Sequence, residues 1–102
     1  MDKSRVIYLI ADTREKDENG VYQKTESEPR KVFAQVESVT RSEFFEGGRN
    51  GLNPELRFIV FFADYHGEEI VQYNGDKYGV YRTFVDKGDR IELYTERKGG
   101  VN

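Results

Sequence analysis

The chain has 102 residues, with 16 Lys+Arg against 19 Asp+Glu, one histidine and no cysteine. That length holds one core of ordinary size, so a single domain over 1–102 is expected. The net charge of −3, with both signs interspersed, leaves no basic surplus to drive binding to phosphate backbones, and the missing cysteines exclude disulfide frameworks, Cys/His zinc sites and thiolate nucleophiles.

The longest apolar stretches, Val6 to Ala11 and Phe58 to Ala63, are far shorter than the roughly 18–20 residues that cross a bilayer. Met1-Asp2-Lys3-Ser4-Arg5 leads into too short an apolar run for a signal peptide. A soluble, non-exported chain without a membrane partner is the expectation. Val, Ile, Leu and Phe together number 26, enough for a modest core. The strand formers Val, Ile, Phe, Tyr and Thr sum to 34, against three Ala and four Leu, which points to a mainly β protein.

Arg5 to Ala11 is a nearly continuous apolar run and reads as a buried strand. From Asp12 to Arg30 the chain is polar, with Asn19-Gly20 as a turn signal before Val21-Tyr22-Gln23-Lys24-Thr25. It reads as a long mobile excursion or hairpin ending at Pro29. Lys31 to Val39 alternates, Val32, Ala34 and Val36 on one face and Gln35 and Glu37 on the other. Thr40 and Glu43 form a T-x-x-E capping box, and Gly47-Gly48 can end the helix it opens. Leu56 to Asp64 reads as a long strand covered on both faces, with Leu56, Phe58, Val60 and Phe62 on one side. Glu69 to Tyr73 and Lys77 to Val85 flank the hairpin signal Asn74-Gly75. A turn at Lys87-Gly88-Asp89 then leads into Arg90 to Arg97, and residues 98–102 form a frayed tail. A sheet this small hides its edges by curling. The expected fold is therefore a small, partly open β-barrel of about six strands with one short α-helix and a long polar loop or hairpin.

Few residues suggest chemistry. His66 has Asp64, Glu68 and Glu69 beside it, but a hydroxyl nucleophile motif is missing and the spacing fits no metal framework, so a solvated turn is the better reading. The glycines at 47, 48 and 51 match neither phosphate-binding loop. No catalytic residue, cofactor or metal is expected, and the chain reads as a non-enzyme. Tyr78, Tyr81 and Arg82 offer a stacking platform for single-stranded nucleic acid as an alternative. Phe44 and Phe45 lie about 100° apart on a two-turn helix, so burying one leaves the other free to meet a partner.

The segments Val32-Phe33-Ala34-Gln35-Val36, Arg41-Ser42-Glu43-Phe44-Phe45-Glu46, Leu56-Arg57-Phe58-Ile59-Val60-Phe61-Phe62 and Val71-Gln72-Tyr73-Asn74-Gly75-Asp76-Lys77-Tyr78-Gly79-Val80 together resemble the head-tail adaptor family of tailed bacteriophages, also called head-completion or stopper proteins. The likeness spans residues 5 to 97. It implies a small β-barrel with a helix, assembling as a homo-oligomeric ring on portal or adaptor proteins and docking tail proteins, at the head-tail junction of the virion after assembly in the host cytoplasm. Double-stranded DNA would pass without specific recognition. Arg41, Phe44 and Phe45 are expected to meet a partner, and by the same resemblance Glu18, Asn19, Gly20, Val21, Tyr22, Gln23 and Lys24 are expected to form a channel loop. A neighbouring tail-completion protein of similar size is the alternative within the same assembly.

Overall fold

Alternation of small and branched apolar residues with polar ones builds the frame of this molecule, whose computed structural model describes residues 4–98. Most of the tail expected to fray lies outside those residues. The strands are β1 (Ser4–Ile10), β2 (Asp12–Lys16), β3 (Tyr22–Glu26), β4 (Arg30–Ser38), β5 (Pro54–Phe61), β6 (Ile70–Tyr73), β7 (Asp76–Asp86) and β8 (Arg90–Arg97), with α1 (Arg41–Arg49) between β4 and β5. Six strands form a closed antiparallel barrel in the order β1-β4-β5-β8-β7-β6, while β2 and β3 pair only with each other. Closure is more complete than expected, because the four-residue β6 pairs with β1 from Tyr8↔Gln72 to Ile10↔Ile70 and removes the last open edges of the sheet.

Inside the barrel, Ile7, Leu9, Val32, Ala34, Phe58, Val60, Val71, Tyr78, Ile91 and Leu93 form one cluster. Phe58 is fully buried at its centre, edge-on to Tyr73 and Tyr78 with ring centroids 5.8 and 5.7 Å away. Thr95, also fully buried, donates its hydroxyl to the Leu56 carbonyl at 2.9 Å, so its polarity is satisfied. The inward set of β4 is the one its alternation indicates. β1 differs from its reading as a strand buried on both faces: Ile7 and Leu9 point in, but Val6 and Tyr8 are exposed. β5 differs likewise, for Phe61 is exposed and the chain turns into a 3-10 helix at Phe62–Asp64, carrying Phe62 off the inner face. An extra residue in β7, between Val80 and Arg82, shifts the register against β8. Tyr78 and Val80 face inward before this bulge, whereas Arg82 afterwards lies on the outside over the Tyr94 ring.

The helix begins as its capping box indicates: the Thr40 hydroxyl accepts the Glu43 N–H at 3.1 Å. It ends later than the Gly47-Gly48 pair suggests. Gly51, at φ +81°, takes the left-handed position, its N–H donating to the Gly48 carbonyl at 3.1 Å and the Leu52 N–H to Gly47 at 2.9 Å. Gly47 has a different duty. It is buried, and a Cβ there would lie 2.4 Å from Cγ of Pro54, so only glycine lets α1 approach β5 this closely. Gly47→Ala is accordingly expected to cost about 1–2 kcal/mol through overpacking. Gly48→Ala, whose Cβ meets open space, should stabilise by about 0.5–1 kcal/mol through lower chain entropy. Urea unfolding of the two variants measures this opposition in sign.

Candidate functional site

Three surface features stand out: a projecting arm, an aromatic outer face and a latched helix.

The arm is the β2–β3 hairpin, paired from Asp12↔Glu26 to Lys16↔Tyr22. Its first strand, Asp12–Lys16, was hidden in the sequence by its polarity. At the tip the Asp17 carboxylate accepts the N–H groups of Val21 and Asn19, both at 2.9 Å, and the Gln23 amide at 3.1 Å. These donors, Val21 first, hold the Asp17 carboxyl below its usual range. Gly20 alone of the Asn-Gly pair takes positive φ. Glu18, Asn19, Gly20, Val21, Tyr22 and Gln23 are all exposed, Tyr22 by 66%; Lys24 pairs with Arg14 in the hairpin register. The arm's root is pinned where the Ser27 N–H donates to the Ala11 carbonyl and the Ala11 N–H to the Ser27 hydroxyl, both at 2.8 Å. Arg30 fixes the adjoining barrel end by donating to Glu68 and to the Asp64 carbonyl at 2.6 Å each. Burial pushes the Glu68 carboxyl up, but Arg30 and the His66 N–H outweigh it and leave the group below its usual range. His66 itself is exposed in this turn.

The aromatic face lies on the outside of β1, β4, β5, β8 and β7. Val6 stands opposite Phe33; Gln35, Ile59, Glu92 and Phe84 form one cross-strand row; and Phe61 faces Arg90. The β4–β5 pairing ends at Gln35↔Ile59, and Phe33 and Phe61 each lie two residues beyond it on their strands. Phe33 and Phe61 are 58% and 54% exposed, and Val6 and Phe84 are exposed as well. Lys31 lies over the Phe33 ring at 5.8 Å and Arg90 over Phe61 at 5.9 Å. The signal for Phe33 was present in the sequence: alternation that turns Val32 and Ala34 inward turns Phe33 out.

The next row of the same face is polar. Arg57 bridges Glu37 and Glu92, while Arg82 stacks 3.8 Å from the centroid of Tyr94 and pairs with Glu43 of α1. The Tyr81 hydroxyl donates to Glu43 Oε2 at 2.5 Å, the same oxygen that accepts the Arg82 Nε–H at 3.1 Å, while Arg82 Nη2 donates to Oε1. Burial, and then the bond to Glu43, raises the Tyr81 hydroxyl far above the usual phenol range. Hydrogen bonds from Arg82, and secondarily Tyr81, hold Glu43 below the usual carboxyl range against the cost of burial. Since the folded value is the lower one, this contribution is present above the unfolded pKa and fades as pH falls through the folded one. Glu43→Gln should cost about 1 kcal/mol, limited by the half-exposed Arg82. Denaturant titrations should find this deficit constant above about pH 5 and shrinking in more acid solution; a deficit that ignores pH contradicts the latch.

The latch holds the helix while its two aromatics stay outside. Phe44 and Phe45 are 45% and 58% exposed, edge-to-face with centroids 5.8 Å apart, and Arg41 is exposed beside them. The expectation that one ring would bury against the barrel is not met, because Gly47 and Glu43 make the close contacts instead. The three residues of the stacking platform are not presented together: Tyr78 is in the core, Tyr81 is at the bulge, and Arg82 is engaged by Glu43 and Tyr94. Among the described residues, no group of three or more His, Cys, Asp or Glu could hold a metal ion, and no helix is long and apolar enough to cross a membrane. No protein-family model and no curated protein matches the chain.

Proposed function

We propose that this chain is a structural connector subunit of a phage or prophage head-tail junction, assembling as a ring on the portal or adaptor complex, helping to close the DNA channel and docking the tail. The observation that carries the reading is the element order: a strand, a projecting hairpin, a second strand, a short helix, and four further strands that close a six-stranded barrel. The segments that resemble the adaptor family occupy β4, α1, β5 and the β6–β7 hairpin of this frame. A ring subunit needs two kinds of surface, one for its neighbours and one for the layers above and below. The exposed aromatics of the outer face and of α1 supply candidates for both.

The overall charge of −3 suits a channel wall along which DNA slides, since like charge prevents adhesion. In this reading the chain catalyses nothing, and the arm orders against its surroundings when neighbours assemble. Phage grown without the chain should yield heads that leak DNA and carry no tails, with rescue when the chain is supplied in trans. Tailed, DNA-filled particles made in its absence would overturn the proposal.

A further inference from the structure

Two surfaces of this molecule lack partners and complement each other. A two-stranded hairpin is marginally stable alone in water, yet here one extends from the barrel in a molecule 51 Å long but only 31 and 26 Å across. Among the described residues no third strand joins the hairpin's two-stranded sheet, and Val21 and Tyr22 at its tip are exposed. The tip carries the carboxylates of Asp17 and Glu18. Lys16 beside them lies over the Tyr22 ring at 5.9 Å. On the barrel, Phe33 and Phe61 are exposed beneath Lys31 and Arg90, and neither cation forms an ion pair with a carboxylate among the described residues.

One surface is therefore acidic and aromatic, the other basic and aromatic. The arm's root leans toward the start of β7, where Glu26 pairs with Lys77 at 2.8 Å. The Phe33 and Phe61 part of the aromatic face lies on β4 and β5. We infer that the arm tip of one copy seats on the Phe33–Phe61 face of a second copy, with Tyr22 and Val21 against the two rings and Glu18 toward Lys31 and Arg90.

This inference rests on the ring reading and deepens it by naming the subunit contact. Two different patches in contact make a head-to-tail interface, which closes into a ring when the rotation between copies divides a full turn. The apolar rings supply the desolvated centre, and the charges set orientation and exclude the reversed docking. Every copy then gives one arm and receives one, so no arm in a closed ring remains uncovered.

The absence of cysteine makes the test clean. Tyr22→Cys and Phe61→Cys, singly and combined, are oxidised mildly, both as purified chain and within assembled particles. The combined variant should yield a ladder of disulfide-linked multimers and the mixed single variants a dimer, with neither single variant dimerising alone. Glu18→Lys should lower the linked fraction several-fold, and Lys31→Glu in the receiving copy should restore part of it.

Dimers from Tyr22→Cys alone would mean that arms pair with each other, which overturns the inference. Rings visible on particles but free of the Tyr22–Phe61 link would overturn it while leaving the connector reading intact. Chain that sediments only as monomer, from particles that show no ring, would overturn both.

Discussion

Phe58→Ala is expected to cost about 3–5 kcal/mol, the largest loss of any single substitution in the barrel. The side chain is wholly buried, and it is the ring that Tyr73 and Tyr78 both meet edge-on. Removing it takes away apolar burial, leaves a cavity within the core cluster that also holds Leu93, Val60 and Val71, and deletes both aromatic contacts. A closed barrel has little freedom to collapse into such a void, because each strand is hydrogen-bonded on both sides. Domains of this size are stable by about 5–15 kcal/mol, and with no disulfide to support it the variant should lose most of its margin. Guanidinium unfolding compares it with Phe58→Leu, which fills much of the space and should lose considerably less. A loss for Phe58→Ala below about 1 kcal/mol would be out of proportion to complete burial of the ring and would place the core elsewhere.

Replacing residues 12–26 by an Asn-Gly turn should separate folding from assembly. The Ala11 carbonyl already accepts the Ser27 N–H at 2.8 Å, so the two ends stand in place for a tight turn. The ion pair that the arm shares with the barrel, Glu26 with Lys77, is exposed and worth little. The barrel's thermal midpoint should therefore stay within a few degrees of the parent. DNA retention and tail joining, in particles that carry only this armless chain, should fall to background. Armless chain that folds and still gives sealed, tailed particles would remove the arm from the mechanism, whereas armless chain that fails to fold would make the hairpin part of the barrel.

The readable parts of the fold were those with local causes. Val32, Ala34 and Val36 revealed the inner face of β4 through alternation, Thr40 and Glu43 marked the start of α1, and Asn74-Gly75 formed the hairpin turn with φ of 52° and 83°. The unreadable parts depend on contacts distant in sequence. Gly47 resembled a helix terminator because Pro54, the reason for its size, lies on another element. Polar β2 carries no apolar period, since its pairing with β3 leaves it away from the core. The bulge at Tyr81 reverses the alternation of β7, so Arg82 and Phe84, which a regular strand would place with Tyr78 and Val80, stand instead opposite Tyr94 and Glu92.

The candidate surfaces divide the same way. The sequence marked Phe44 and Phe45 as a pair of which one could meet a partner, and placed Tyr22 in a polar excursion; that both helix rings stay exposed follows from how α1 docks. That Phe33 and Phe61 stand on adjacent strands depends on the order of the barrel, and the engagement of Arg82 by Glu43 depends on where α1 docks.

Electron microscopy of phage particles labelled with an antibody against this chain tests the connector role most directly. The account predicts label at the vertex between head and tail, on intact particles or on junctions exposed by removing the tail. Abundant chain in the lysate, with both kinds of particle unlabelled, would contradict it.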